Sequence, residues 1–500
     1  MKLTRREMFK LGLASSAMMA FPQLSKAWGG GGSSGGYGSG GTGVSAFTLP
    51  LAIPPVLSPT STDATTDYYT LTQSVAQQQI IPGKFTTIWG YNGAYPGPTI
   101  KARAGRRVVV HQINNLPESI STHLHGGHTP PDSDGHPNAL VAPGASRDYT
   151  YPNNQLPTTL WYHDHAVDVT GRHVYMGLAG FYLMSDATED ALPLPNGVND
   201  VPLVLQDRLF NTDGSLSYTL DDRTIDEGFL GDTMLVNGVI QPYFQVARRK
   251  MRFRILNGSN ARVYTLSLSS GKPFVQIGSD GGLLSAPSSR TSITLAPAER
   301  IDVIIDFSQY AIGTSLTLRN GDSQCNYSYR DSYNSGYSTS SSVDLMRFDV
   351  ARDEVDNSSI PTTLRTVTRI PTSAASKSRT FTLEKMYANG RNQWSIGGKL
   401  YDPARIDAVP TLGSTELWTF DNRSGQAHPL HVHDVQYQIV DINGSAPAAG
   451  DAGWKDTVLV PSWGRARVIM KFADLTGVYV FHCHKLEHED HAMMSQFKVV

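Results

Sequence analysis

Val480-Phe481-His482-Cys483-His484 is the stretch on which the reading of this chain turns. The apolar residues from Val478 to Phe481 read as a strand. In a strand, residues i and i+2 share a face and i+1 takes the other. His482 and His484 then present two imidazoles to one side, and Cys483 presents a thiol to the opposite side. A related stretch, Trp161-Tyr162-His163-Asp164-His165, has Asp in place of Cys. His123/His125 and His431/His433 complete four His-x-His pairs among 15 His, where composition alone gives roughly 0.5. A structural zinc takes about four ligands. Eight imidazoles are too many for one ion and suit a cluster.

A period underlies the pairs. His123 and His125 follow Asn114 by 9 and 11 residues, and His431 and His433 follow Asn422 by the same offsets. From Asn257 those offsets fall on Leu266 and Leu268. One element thus recurs three times, with ligand-type residues in the outer copies and leucines in the middle one. Short strands are expected at Val108–Val110, Pro202–Leu205, Met251–Leu256, Val263–Leu268 and Arg300–Phe307. Asn-Gly at 237–238, 257–258 and 443–444, with Asn-Asn at 114–115, reads as turns between strands. With 46 Gly and 29 Pro, the chain favours turns over long helices. These features predict three similar β-domains, at 45–187, 198–350 and 375–500.

A second kind of site falls in the third domain only. His428 lies three residues before His431, His488 five after Cys483, and Met493 five after His488. Two imidazoles, a thiolate and a weak thioether form the ligand set of a blue-copper site. The ten-residue spacing from Cys483 favours Met493 over Met494. The matching positions hold Ile120 and Asp164 in the first domain, and Val263 replaces the His in the second. Peptide bonds would join such a copper, through Cys483, to two imidazoles of the cluster.

The rest of the chain bounds the function. Over 500 residues, 42 Lys+Arg nearly balance 44 Asp+Glu, so no cationic excess points to nucleic acid. Past the N-terminus no apolar run is long enough to span a membrane. Residues 1–27 carry Lys2, Arg5, Arg6 and Lys10, an apolar stretch from Leu11 to Phe21, and Ser25-Lys26-Ala27. They read as a signal peptide of twin-arginine type, which implies export to the periplasm or beyond. Residues 28–44 form a Gly/Ser-rich linker, and Ser323 to Ser342 reads as a surface loop. With Cys483 on a metal, Cys325 is a lone thiol. His111, His128, His136, His173 and His491 fall outside the ligand pattern. His488-Glu489-Asp490-His491 is one residue short of a zinc-protease motif.

His123-Leu124-His125-Gly126, Trp161 to His165, His428-Pro429-Leu430-His431-Val432-His433, and His482-Cys483-His484 with His488 and Met493 resemble the four signatures of multicopper oxidases. The resemblance spans nearly all of the chain past the leader. It is nearest to bacterial spore-coat laccases and bilirubin oxidases, through His123 to Gly135, Ala296-Pro297-Ala298-Glu299-Arg300 with Asp302 to Phe307, and Leu486 to Asp490. It implies an all-β fold of three cupredoxin-like Greek-key β-sandwich domains and four copper ions. His428, Cys483, His488 and axial Met493 would hold the type 1 copper. His123 and His431 would hold type 2, and His125, His163, His165, His433, His482 and His484 the type 3 pair. It further implies one-electron oxidation of phenolic, aromatic or bilirubin-like reductants, with dioxygen reduced to water. Electrons are expected to arrive at a His488 edge near the surface. Glu489 and Asp134 match positions that supply protons to the cluster. A metallo-oxidase of Cu(I) or Mn(II) and a copper-free structural relative are the alternatives. Scattered methionines weaken the first for Cu(I), and the intact ligand set speaks against the second. A monomer is expected.

Overall fold

The computed structural model describes residues 42–321, 342–388 and 390–500. The leader, nearly all of the Gly/Ser-rich linker, Cys325 and the expected loop up to residue 341 lie outside the described residues. Strands dominate the rest, in three pairs of sheets.

The first pair joins a sheet built on Thr66–Gln78 and Arg107–Asn115 to one ordered Gly97–Arg103, Ala179–Ser185, Thr159–Asp164, Thr122–His125. The third joins a sheet built on Lys377–Ala388 and Thr415–Asn422 to one ordered Thr457–Val460, His428–Val432, Gly477–Cys483, Met494–Val499. The middle pair, with seven and five strands, centres on Asp200–Arg208 and Lys250–Asn257. Each pair contains a parallel ladder between its two named strands, and the first and middle pairs a second one in the facing sheet, within otherwise antiparallel sheets. Apolar side chains alternate inward along these strands and close three separate cores, around Tyr149 and Tyr182, around Phe253 and Phe348, and around Trp418 and Phe481.

The recurring Asn has a structural reason. Asn114 Oδ1 accepts the Leu116 N–H, and its Nδ2 donates to the Glu118 and Val141 carbonyls. Asn257 does the same with Ser259, Arg262 and Leu295. Asn422 repeats it with Ser424, Gln426 and Pro461. Each amide satisfies a buried corner where the chain leaves one sheet for the other. The corner fixes the path to the next strand, so residues 9 and 11 further on reach equivalent places in the two outer copies. Asn257-Gly258 is therefore not a hairpin turn. Asn237-Gly238 and Asn443-Gly444 are, with φ of 50° and 77°, and of 53° and 81°.

Candidate metal centres

The two outer sheet pairs place their histidines alike. His123 stands opposite His163 in one ladder, and His431 opposite His482 in the other. The eight imidazoles of the His-x-His pairs are all buried and meet where these sheets face each other. The rings of His123 and His433 stack at 3.8 Å, and those of His125 and His431 at 3.7 Å. In the middle pair Leu266 and Leu268, at the same offsets, face the other way, into the apolar core of their own sandwich.

Hydrogen bonds decide which ring nitrogen looks inward. His123 Nδ1 lies 2.6 Å from the Asp134 carbonyl, His431 Nδ1 2.8 Å from that of Asp456, and His163 Nδ1 2.8 Å from that of Asp164. His482 Nδ1 lies 3.1 Å from the Cys483 carbonyl and His433 Nδ1 2.8 Å from Asp134 Oδ2. A carbonyl can only accept, so four of these Nδ1 atoms carry the proton, as does that of His433 when Asp134 accepts through an ionised carboxylate, and Nε2 keeps a lone pair. Yet His433 Nε2 lies 3.2 Å from His482 Nε2, and His123 Nε2 3.4 Å from His431 Nε2. Facing lone pairs repel unless a cation is shared between them. Further nitrogens, among them His125 Nδ1, His163 Nε2 and both of His484, are buried without a hydrogen-bond partner. The set fits metal ions bound by neutral imidazoles, with the accepting oxygens setting ring orientation. Burial holds His163 and His431 at about 3 and His165 at about 4, which keeps their lone pairs free.

Cys483 points to the other side of its strand, into the apolar core. His428 Nδ1 lies 3.5 Å and His488 Nδ1 3.7 Å from its Sγ. His488 Nε2 donates to the Asp226 carbonyl at 2.9 Å, and His428 Nε2 lies 3.1 Å from Ser424 Oγ. Here it is Nδ1 that is aimed at the shared centre. Met494 stands opposite His482 in the ladder and shares its face. Met493 lies on the Cys483 side, in the same apolar cluster, and its carbonyl accepts the Cys483 N–H. Burial pushes the Cys483 thiol up to about 12, so a bound cation is what would make it a thiolate. Soft sulfur with two imidazoles fits copper.

Glu489 lies against the cluster, on the short helix Leu486–Asp490. Its Oε1 is 3.2 Å from His165 Nδ1 and its Oε2 3.0 Å from His482 Nδ1. Burial disfavours its charge, but those imidazoles hold its carboxyl well below the usual range. Burial pushes Asp134 well above it. The other histidines stay out of both centres. His111 pairs with Asp148, His136 with Gln496, His173 with Asp164 and Glu118, His128 with Asp434 and Asp474, and His491 with the Glu487 carbonyl.

One expectation is corrected. The His488 edge is not open to solvent; His488 is 0 % exposed. The middle-domain helix Asp222–Glu227 covers it. The Asp226 carbonyl in its last turn lacks a partner within the helix. It accepts from His488 Nε2, Trp394 Nε1 and Gln426 Nε2. Trp394 stacks on His488 at 4.9 Å, and Lys385 pairs with the Asp226 carboxylate. Sequence reading also assigned no role to Asp456, whose carboxylate lies 3.1 Å from His125 Nε2. The only sequence signal for it was Gly126 beside His125.

Sandwiches with a buried thiol–imidazole centre and an imidazole cluster between them define a copper oxidoreductase of the cupredoxin kind. Comparison with known proteins agrees. Models described as multicopper oxidase match residues 74–189 and 374–500. The laccase of Bacillus subtilis (strain 168) is 36% identical, covering 90% of this chain and 97% of that protein. The bilirubin oxidase of Albifimbria verrucaria is 34% identical, over 90% of this chain and 81% of its own. The crystal structure of a laccase from Pediococcus acidilactici Pa5930 matches with a TM-score of 0.81 at 34% identity, covering 90% of this chain and 93% of that one. The chain belongs to the multicopper oxidase family. It has that family's three cupredoxin-like β-sandwiches and copper chemistry, using dioxygen and a reducing substrate. Among the described residues no helix is long and apolar enough to cross a membrane.

Proposed function

We propose that the protein is a laccase-like oxidase of small phenolic, aromatic or bilirubin-like reductants. Four coppers are assigned: one at His428, Cys483, His488 and Met493; one at His123 and His431; and a pair at His125, His163, His165, His433, His482 and His484. The observation that carries the reading is the convergence of unprotonated ring nitrogens on the seam, one peptide bond from the thiol of Cys483. When bound, the coppers would take electrons singly at the Cys483 site and pass four to dioxygen, giving two waters.

The chain's own residues set the conditions. Cys483 lies between His482 and His484, so covalent bonds alone link the thiol to two cluster imidazoles. The apolar core around Cys483 and Met493 keeps water from the sulfur. Asp134 and Glu489 stand against Nδ1 of cluster imidazoles, on the side away from the converging Nε2 atoms. We assign them to hold and move the protons that reduction of dioxygen consumes. The leader supports export to the periplasm or beyond, and the chain is assigned as a monomer of three domains, at 45–187, 198–350 and 375–500.

Oxygen uptake by copper-loaded protein, compared on a phenol, bilirubin, Cu(I) and Mn(II), tests the reading. Turnover of the organic reductants is expected. Turnover of a metal ion alone would replace the proposal with a metallo-oxidase, and copper well below four per chain would remove the ligand assignment.

A further inference from the structure

His125 is turned the opposite way from its neighbours. Most of the cluster rings send Nδ1–H outward to an acceptor and Nε2 inward. His125 instead places Nε2 3.1 Å from Asp456 Oδ1 and leaves Nδ1 buried without a partner. The Asp456 carboxylate is itself fixed. Arg300 Nη1 donates to its Oδ1 at 2.7 Å and Nη2 to its Oδ2 at 2.5 Å, while Gln436 adds a 2.9 Å bond to Oδ2. Arg300 belongs to the middle sheet pair, and it also donates through Nε to the Thr159 carbonyl of the first and through Nη2 to the Asp280 carbonyl of its own. All of these groups but the half-buried Gln436 are buried. An ionised carboxylate can only accept, so the proton of His125 is placed on Nε2.

We propose that Arg300 and Asp456 are a positioning pair that fixes the tautomer and ring direction of His125, so that it offers Nδ1 to the cluster. The middle domain, which supplies no ligand, thereby sets the ligand geometry at the seam between its neighbours. This rests on the assignment of His125 as a cluster ligand. Gly126 gives an independent sign of the same design. Its φ is +79°, and a Cβ there would meet Asp456 Oδ2 at 2.4 Å and Arg300 Nη2 at 2.7 Å. The residue after His125 lacks a side chain because the ion pair occupies that space. Without the pair, the ring could turn by half about Cβ–Cγ, which puts Cδ2 where Nδ1 stood and Nε2 where Cε1 stood. The place that Nδ1 fills would then hold a C–H, and the nitrogen left on that side would be Nε2, farther from the backbone.

The test uses copper-loaded full-length protein. Copper per chain, the orange-red absorption of the Cys483 site, the near-ultraviolet absorption of the coupled pair and the electron paramagnetic resonance spectrum are read together. Asp456→Leu and Arg300→Lys are expected to weaken copper binding at the seam by about 10–100-fold, as outer-shell changes do. They should lose the near-ultraviolet band and expose a paramagnetic ion, with the orange-red band intact. Arg300→Lys covers the case in which Asp456→Leu does not fold, because Lys cannot bridge both carboxylate oxygens. Asp456→Asn keeps an accepting oxygen and should retain the band. Arg254→Lys, which disturbs a buried ion pair with Asp200 outside the cluster, should leave every signal unchanged. An unaltered near-ultraviolet band in both Asp456→Leu and Arg300→Lys would overturn the proposal. So would the same loss in Arg254→Lys, or a copper-loaded parent structure with His125 bound through Nε2. A parent with fewer than four coppers would instead count against the ligand assignment.

Discussion

The two metal centres lie on opposite faces of one strand, yet they are held by different means. The Cys483 centre is internal to one sandwich: its four candidate ligands come from the two inner strands of a single sheet, the short helix Leu486–Asp490 and the residue just before the last strand. The histidine cluster belongs to no sandwich. Its rings come from two, and their directions are set by oxygens of Asp134, Asp164, Asp456 and Cys483. The first centre therefore depends on local packing, and the second on how domains meet. Damage to one should be separable from damage to the other.

Cys483→Ser gives the sharpest separation. It removes the sulfur but neither imidazole of the flanking pair. The orange-red band and oxygen uptake with phenols should vanish, while copper analysis falls by only one ion per chain. Loss of all copper would break the comparison, since it would make the cluster depend on the thiol.

Glu489→Gln and Asp134→Asn test the opposite side. Both should leave the orange-red band in place and slow reoxidation of the reduced protein by dioxygen, by about 10²-fold or more if proton supply is lost. Stopped-flow reoxidation across pH reads this directly. Equal rates for variant and parent at every pH would leave the carboxylates with orienting roles alone.

What the sequence disclosed follows the same division. The His-x-His spacing reports strand alternation, a local rule, so the facing of His482 against Cys483 could be read from three residues. The Asn offsets reported a side-chain corner that repeats within each domain. The His488 cover could not be read, because it depends on a carbonyl of Asp226, and a carbonyl leaves no mark on residue identity. Asp456 and Arg300 were likewise 156 positions apart, joined only by packing between domains. Gly126 was the one trace they left.

The cover over His488 makes a smaller prediction. The helix Asp222–Glu227 starts with a capping box between Asp221 and Thr224. Thr224→Ala removes half of it, at a cost of about 0.5–2 kcal/mol to that helix. Looser cover should raise kcat/KM several-fold for bulky reductants, with little change for small ones and none in reoxidation by dioxygen. Stopped-flow reduction with phenols of graded size separates these outcomes. An equal change in both half-reactions would show that the helix serves the fold and not access.

An effect on stability alone, and not on either centre, is expected where the outer sandwiches touch outside the cluster. His128 of the first lies 2.8 Å from Asp434 and 2.7 Å from Asp474 of the third. Burial opposes its charge, but the Asp434 carboxylate and carbonyl, with Asp474, raise its pKa to about 9. The folded value then exceeds the unfolded value near 6.5. The stabilisation is full below pH about 6.5 and is lost as pH rises through about 9. Allowing for solvent on Asp474, it amounts to on the order of 2 kcal/mol. Thermal unfolding of the parent and of His128→Gln should differ at pH about 6 and converge above pH about 9. The cluster lies beside this contact, so the copper-loaded form should show a smaller difference than the apoprotein, because ions shared between the sandwiches already hold the seam closed.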